Sequence, residues 1–283
     1  MADYTDSAPA MGGAAPLGTL ETSFVDGEPL ITPKKLQQLH LFGIPLVSQI
    51  KDPRTGKPQA MTDEDLQQFI LEAVALAELE VGNGSFSIFP RQLDERHPYD
   101  RKEQESFGFV RTRHRPVASV EELAVQSSDG VNVWVVPNNW IDKGLMHVGQ
   151  INMVPFAVAA QSGVTIPVTG PVGMGLLPSL FQFNWVPQLY TLRYTVGFKD
   201  GILPKAVNQL IGVVAAMEVL DMLATTYARS SSSSISMDGV SQSVSSPGGE
   251  LFSVRMQFLA EKRKFLVKKI QRIYGLGIFT DNV

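Results

Sequence analysis

Cysteine is absent from this 283-residue sequence. Without a thiol the chain cannot form a disulfide, a thiolate zinc site, a cysteine-ligated iron–sulfur cluster or a cysteine nucleophile. Histidine, the other common metal ligand, is scattered along the chain, at His40, His97, His114 and His147. We therefore expect no metal and no cofactor.

Charge is also scarce. Charged residues make up 18% of the chain, below the usual level of about 25%. The net charge of −4 creates no general attraction to nucleic acid or to an anionic membrane. A lightly charged surface is typical of a protein that partners cover. Apolar residues reach 44%, which favours a folded chain of one large domain or two ordinary ones.

Export and membrane signals are missing as well. No Lys or Arg precedes Lys34, so we find no basic n-region of a signal peptide. The most apolar stretch, residues 210–224, is short and includes Glu218 and Asp221. A spanning helix needs about 20 mostly apolar residues, and the two acids would be costly in lipid. We therefore predict no contact with a membrane.

The first segment with helical periodicity follows Thr62. This residue is suited to cap a helix, and the three acidic residues after it complement the helix dipole. Apolar residues then recur three and four apart over residues 66–77. The pattern predicts a helix over 62–81.

Two further helices are predicted in the C-terminal third. The helix over 204–227 begins with Pro204 and is apolar nearly all round, so we expect both its own core and neighbouring subunits to bury it. The helix over 252–274 has an apolar stripe that we expect to include Phe258 and Phe265. Its other face is strongly basic.

Strand patterns lie on both sides of the second helix. Runs of β-branched and aromatic residues predict strands over 107–113, 117–125, 131–136 and 190–196. Residues 145–200 are rich in proline and glycine, which indicates irregular β structure with long loops. After the second helix, Asp238-Gly239 is a turn signal that predicts a β-hairpin over 235–244.

These segments together predict an α+β fold with a helical core of three main helices, a β-rich insertion and a β-hairpin in the C-terminal half. Ala, Pro and Gly dominate residues 8–18, which favours an extended N-terminal arm. The predicted order is an arm (1–60), the first core helix (61–84), the β-rich insertion (85–203), a helix–hairpin–helix core (204–275) and a tail (276–283).

Catalytic patterns are weak. Asp94, Glu95, His97 and Asp100 could form a metal or acid–base cluster, but their spacing matches no ligand pattern and we interpret them as a solvated loop. Residues 107–110 match only the middle of an RNA-recognition octamer. No nucleophile elbow, phosphate-binding loop or zinc motif is present. We predict that the protein is not an enzyme, with a carboxylate enzyme as the alternative.

The basic face of the third helix has three possible roles. It is a solvated face, an electrostatic interface with an acidic partner, or a surface that contacts the DNA backbone. The residues of this face that we assign to contact with a partner or with DNA are Lys262, Arg263, Lys264, Lys268, Lys269 and Arg272.

The order of elements resembles the head–tail connector proteins (adaptor or neck proteins) of tailed bacteriophages. The resemblance is carried by an acid-capped helix, a β region, an aromatic strand that leads into a long apolar helix, a Ser/Gly hairpin and a basic helix. The segments are 62–66 (TDEDL), 77–80 (AELE), 115–123 (RPVASVEEL), 192–198 (LRYTVGF), 202–206 (ILPKA) and 236–241 (SMDGVS).

The resemblance implies a structural virion protein, made in the bacterial host cytoplasm and located in the neck between capsid and tail. It implies a homo-oligomeric ring, with twelve copies expected, that joins the portal protein to a tail-side neck or tail terminator protein. Genomic DNA would pass through this ring without sequence specificity. The alternatives are another neck, tail-completion or minor capsid protein, or a nucleic-acid-binding protein.

Contact residues follow from this interpretation. For the long apolar helix we expect subunit contacts, or the core beneath them, at Leu210, Val214, Met217 and Leu220. For the hairpin we expect contact with a neighbouring subunit or the tail-side protein through Ile235, Met237 and Val240. For the apolar tail we expect docking to the portal through Leu276, Ile278 and Phe279.

Overall fold

The computed structural model describes residues 27–51, 58–100, 109–126, 130, 132–153, 184–230, 232–237, 240–245 and 252–276. The helices in these ranges are α1 (Pro33–Leu39), α2 (Asp63–Gly82), α3 (Lys205–Ser230) and α4 (Ser253–Ile273). The strands up to the β-rich region are β1 (Gly27–Pro29), β2 (Val47–Lys51), β3 (Pro58–Ala60), β4 (Arg91–Asp100), β5 (Phe109–Arg111), β6 (Val117–Gln126) and β7 (Asn132–Val135). The remaining strands are β8 (Ile141–Asp142), β9 (Gln150–Met153), β10 (Trp185–Val196), β11 (Ile202–Pro204), β12 (Ser232–Met237) and β13 (Val240–Ser245).

The α+β prediction is confirmed, because the described residues form two hydrophobic cores of different kinds. One core is helical and collects residues from all four helices. The other lies within the β-rich region between α2 and α3. The three predicted long helices are confirmed as α2, α3 and α4, with ends within a few residues of the prediction.

Helix α2 begins where the sequence predicts. The Thr62 hydroxyl accepts a hydrogen bond from the Asp65 backbone N–H at 3.2 Å, and the Thr62 N–H donates to the Asp65 carboxylate at 2.8 Å. These reciprocal bonds form a capping box, which satisfies backbone donors that the first turn leaves without partners. Asn83, in the left-handed conformation, ends the helix.

Helix α3 is the centre of the helical core. It packs against both α2 and α4. By length and composition, residues Lys205–Thr226 could cross a membrane, but most of this stretch is buried inside the protein. The helix is therefore apolar nearly all round because its own chain surrounds it, as a helix at the middle of a bundle requires.

The N-terminal segment differs from the predicted extended arm in the part that the structure describes. Residues 1–26 lie outside the described ranges, but α1 is helical and β1 pairs antiparallel with β11. Ile31, Leu36 and Leu41 are buried in the helical core. The segment folds because these three apolar side chains fill space beside α3, a long-range contact that local composition does not reveal.

The contact between this segment and α3 is close at Gly212. A Cβ atom at Gly212 would lie 2.8 Å from His40 Nε2 and 2.9 Å from the Ile31 side chain. Only a glycine leaves room for the imidazole against the helix backbone. Asn208 of α3 also accepts a hydrogen bond from the Ile31 N–H at 2.9 Å.

The β-rich region contains a four-stranded antiparallel sheet in the order β4-β10-β6-β7 and a three-stranded sheet in the order β5-β9-β8. Their inward side chains form the second core, which includes Leu123, Ile151, Leu192 and Tyr194. The strands predicted over 107–113, 117–125, 131–136 and 190–196 correspond to β5, β6, β7 and the second half of β10. Residues 107–108, 127–129 and 131 lie outside the described ranges, as do 154–183.

Strand β4 corrects the interpretation of its residues as a solvated loop. It pairs along its length with β10, and its odd-numbered residues Leu93, Glu95, His97 and Tyr99 point inward. The even-numbered residues from Gln92 to Pro98, including Asp94, are exposed. Because successive side chains of a strand point to opposite faces, a charge-rich stretch can be ordered while one face of the strand stays in water.

A small aromatic cluster of the helical core lies where the chain enters and leaves the β-rich region. The rings of Phe86, Phe198 and Tyr274 lie 5.3–6.1 Å apart, centroid to centroid. Beside them, the Arg115 guanidinium donates a 2.6 Å hydrogen bond to the Gly275 carbonyl. The end of α4 is therefore tied to the β-rich region.

The predicted hairpin is confirmed in its strands. β12 and β13 pair antiparallel, with Met237 opposite Val240. The turn residues 238–239 and the hairpin side chains lie outside the described part of the chain.

We predict that Thr62→Ala lowers the free energy of unfolding by about 1 kcal/mol, because the substitution removes the side-chain acceptor of the α2 cap. Chemical denaturation with urea measures this change. Thr62→Ser keeps the hydroxyl and is the matched control, with stability close to that of the natural protein. Equal losses in both variants would show that the cap does not stabilise α2.

Candidate interaction surfaces

The residues predicted on α3 belong to the chain's own core. Leu210, Val214 and Leu220 are completely buried, and Met217 is partly buried against the same core. Of the two roles expected for them, subunit contact or the core beneath it, the structure places them in the core. Neighbouring subunits are not needed to cover α3.

The predicted basic residues divide into two groups. Lys264, Lys268, Lys269 and Arg272 are exposed on α4. Arg263 instead pairs with Glu80 of α2 within the same chain, with Nε 2.7 Å from the carboxylate oxygen. An Arg–carboxylate pair of this length fixes α4 against α2 and removes Arg263 from the set available to a partner.

Lys262 is half-buried and acts on the N-terminal segment. Burial, together with the positive charges of Lys262 and Arg255, lowers the pKa of His40 to about 4. Arg255 also donates a 2.9 Å hydrogen bond to the His40 carbonyl. His40 is therefore neutral at pH 7, and Lys262 and Arg255 both interact with it within their own chain.

Helix α4 exposes large apolar side chains among its basic residues. Val254, Phe258 and Phe265 are 81%, 59% and 66% exposed. Phe258 and Phe265 were expected in the core, but the buried stripe of α4 is formed by Leu259, Leu266, Val267 and Ile270. Helix α4 therefore has apolar side chains over a wider part of its circumference than the helical core covers. We call the exposed set the basic stripe: Val254, Phe258, Phe265, Lys264, Lys268, Lys269 and Arg272.

Helix α2 exposes a second apolar stripe. Its inward face is the predicted one, but Leu71 and Leu79 are 45% and 58% exposed, and Leu76 is 37% exposed. Ala75 is exposed between them. Glu64 and Glu72 lie on the same side of the helix, since they are spaced near multiples of 3.6 residues from Leu71 and Leu79. We call this set, with Gln68, the acidic stripe.

The two helices carry opposite charge. α2 has six acidic residues and no basic residue. α4 has seven basic residues and one acidic residue, Glu261. Exposed apolar side chains on helices of strong and opposite charge are typical of protein interfaces rather than of free surface.

Among the tail residues, only Leu276 is described. It is partly buried against the helical core, and its N–H donates to the Gln271 carbonyl at 2.8 Å. The structure therefore places Leu276 on its own chain, whereas Ile278 and Phe279 lie outside the described ranges. Side chains of Ile235, Met237 and Val240 in the hairpin are likewise outside the described part.

A buried carboxylate lies in the β-rich region. Glu95 is 9% exposed and accepts hydrogen bonds from the Tyr194 hydroxyl at 2.5 Å and from the Arg113 N–H at 3.1 Å. His97 Nε2 lies 3.1 Å from the carboxylate, and His114 Nε2 lies 4.0 Å from it. Burial alone would raise the pKa of Glu95, but the hydrogen bonds from His97, Tyr194 and Arg113 outweigh it and lower the pKa.

This cluster fits a structural role. Both carboxylate oxygens of Glu95 already accept a hydrogen bond. Burial and the hydrogen bond to Glu95 raise the pKa of the Tyr194 hydroxyl, so the phenol stays protonated. Asp94 points to the opposite face of β4 and pairs loosely with Arg193, at 3.8 Å. Within the described ranges no three acidic or histidine side chains are grouped to hold a metal ion.

Sequence reasoning missed the acidic stripe, although a signal for it was present. Leu71, Ala75 and Leu79 recur four residues apart, out of phase with the inward stripe that begins at Leu66. A second apolar stripe on a helix that already has one indicates a second contact. The basic stripe was recognised for its charge but not for its exposed phenylalanines.

Comparisons with known proteins give structural neighbours but no sequence family. No protein-family model matches the chain, and no curated protein matches it. The neck of an empty GTA particle, computed with C6 symmetry, is 16% identical, with a TM-score of 0.32 over 70% of this chain and 79% of that chain. The neck of a native GTA particle, computed with C12 symmetry, is 14% identical, with a TM-score of 0.35 over 72% of this chain and 80% of that chain.

A third similar structure is the virion of a native gene transfer agent (GTA) particle. It is 14% identical, with a TM-score of 0.35 over 89% of this chain and 93% of that chain.

We predict that Leu220→Ala and Phe265→Ser affect different properties. Leu220→Ala opens a cavity in the helical core and lowers the free energy of unfolding by about 2–5 kcal/mol. Phe265→Ser changes an exposed side chain, and stability stays within about 0.5 kcal/mol of the natural protein. Urea denaturation of both variants measures the difference. A large loss of stability for Phe265→Ser would mean that this ring is part of the core.

We predict that Glu95→Gln lowers the free energy of unfolding by about 1–3 kcal/mol at pH 7, because an amide nitrogen cannot accept the bonds that the carboxylate accepts. Since folding lowers the pKa of Glu95, its contribution is complete above the unfolded pKa and is lost as the pH falls through the folded value. The difference between the two proteins should therefore shrink in acid.

Asp94→Asn is the matched control for this experiment, since Asp94 is the adjacent carboxylate on the exposed face of β4. Its stability should follow that of the natural protein at every pH. The natural protein is the reference at each pH because neutral, buried His40 also makes the fold less stable in acid. A constant difference for Glu95→Gln down to low pH would contradict the prediction.

Proposed function

We propose that this chain is a structural protein of a phage-like neck. In this proposal, copies of the chain assemble into a ring between the portal vertex of a capsid and the tail, and DNA passes through the ring. The observation that carries the proposal is the presence of large exposed apolar side chains on both outer helices of the core, set among charges of opposite sign.

A surface of this kind supports an assembling protein rather than an isolated one. Val254 and Phe265 each expose more than half of their surface, although α4 has a complete buried stripe of its own. Apolar side chains scattered singly are normal, but aligned ones on one helix face commonly mark a contact site. Because the helical core is buried within the chain, subunits would meet through the surfaces of copies that are already folded.

The acidic and basic stripes are different patches, and contacts between different patches are heterologous. Such contacts generate a closed ring when the rotation between subunits divides a full turn. We propose twelve copies, the number that the resemblance to connector proteins implies. A ring with a central channel would let DNA pass without reading its sequence.

Partners on the two sides of the ring are assigned from the resemblance and the chain order. We propose that Ile278 and Phe279 dock to the portal protein, and that the hairpin residues Ile235, Met237 and Val240 contact a neighbouring subunit or the tail-side neck or terminator protein. The exposed lysines of α4 would face an acidic partner surface or the DNA channel.

Electron microscopy of the purified chain, alone and with the portal protein encoded in the same genome, tests the proposal. We expect rings with one symmetry, seated on the portal when it is present. A chain that stays monomeric at high concentration and binds neither portal nor particles would overturn it. Deleting residues 277–283 should weaken portal binding, while rings of the chain alone remain.

A further inference from the structure

We infer that the acidic stripe on α2 of one copy packs against the basic stripe on α4 of the next copy, so that one repeated contact builds the assembly. This inference rests on the proposed function and identifies the surface through which the copies meet. The partner of each stripe is a second copy of this chain.

Geometry within the described part of one copy keeps the two stripes apart. Leu71 and Leu79 on α2 are exposed in the same chain in which Phe258 and Phe265 on α4 are exposed. The intrachain contact between these helices uses other positions, at Glu80 with Arg263 and at Val81 with Gln271. The two stripes therefore do not cover each other, and each is free to meet its complement on another molecule.

Charge complementarity selects this pairing over others. An α2–α2 contact would bring the exposed carboxylates Glu64 and Glu72 of one copy close to those of another, on a helix with no basic residue. An α4–α4 contact would bring together two surfaces that each expose four basic residues and one acidic residue, Glu261. Opposite patches attract and like patches repel, so the α2–α4 contact is favoured over both self-pairings.

Apolar spacing on the two stripes also matches. Leu71 and Leu79 are eight residues apart, which is about 12 Å along a helix, and Phe258 and Phe265 are seven apart, or about 10 Å. Two leucines can therefore lie beside two phenylalanines when the helices cross at a shallow angle. Glu72 and the lysines of the basic stripe would flank this apolar centre.

DNA is a poorer fit to the basic stripe than an acidic helix. The centre of the stripe is occupied by Val254, Phe258 and Phe265. A phosphate backbone gains no burial energy from these apolar side chains, whereas the leucines of the acidic stripe do. Lysines at the edge of the stripe remain available to other partners.

The test uses two charge-reversed variants of the full chain. The first, Glu64→Lys with Glu72→Lys, reverses exposed charges of the acidic stripe. The second, Lys268→Glu with Lys269→Glu, reverses exposed charges of the basic stripe. Each variant alone would place like charges across every contact, and we expect the concentration needed for assembly to rise by about 100-fold or more in sedimentation velocity.

Mixing the two variants provides the decisive measurement. In an alternating assembly, every contact again joins a basic surface to an acidic one, so an equimolar mixture should assemble near the concentration of the natural chain. Contacts through α2–α2 or α4–α4 give a different pattern, because one of the two variants then keeps its contact surface unchanged and assembles by itself like the natural chain.

Lys143→Glu with Lys199→Glu is the control, because it makes the same change of net charge as the basic-stripe variant at exposed positions outside both stripes. It should assemble like the natural chain. The apolar variant Phe258→Ser with Phe265→Ser gives a second measurement, with assembly weakened at unchanged net charge. Thermal melting of each variant, expected within a few degrees of the natural chain, shows that the fold persists.

Two results would overturn the inference and leave the proposed function standing. In the first, natural and charge-reversed chains form the same rings at the same concentration. In the second, each variant fails to assemble and the mixture fails too. If the natural chain forms no assembly with or without portal, the proposed function itself is wrong.

Discussion

Burial of α3 by α2 and α4 is the contact on which the rest of the protein depends. Residues such as Leu210, Val214 and Leu220 have no exposed surface. Complete burial of one such side chain contributes about 1.5–3 kcal/mol, so a helix with many of them sets the position of everything that packs around it. The N-terminal segment, with Gly212 against His40, and the end of α4 are fitted to this centre.

Because the helical core is buried within one chain, contacts between copies must use other surfaces. An apolar helix without cover would have required subunits to share one hydrophobic core, as in obligate oligomers. Here α3 is covered within the chain, and the large apolar side chains that stay exposed include those on the outward faces of α2 and α4. Each copy can therefore fold by itself, and in the proposed assembly the charged surfaces would select the partner and its orientation.

The sequence revealed the charge of the candidate surfaces but not their exposed apolar side chains. Seven basic residues on α4 are plain from composition, but periodicity alone placed Phe258 and Phe265 in the core, because a stripe widened by two phenylalanines is indistinguishable from a broad buried face. Glu95 was missed for a related reason. Its neighbours are charged, and only pairing of β4 with β10 separates the buried residues of that strand from the exposed ones.

Local patterns in the sequence were sufficient for the long helices, the Thr62 cap, most strands of the β-rich region and the hairpin strands, since capping, periodicity and turn chemistry act over a few residues. Tertiary structure alone decided which apolar side chains are covered. It folded residues 27–51 onto α3, paired Arg263 with Glu80, and left one stripe of α2 and one of α4 facing outward. These outcomes depend on contacts between residues far apart in the chain, which no short stretch of sequence encodes.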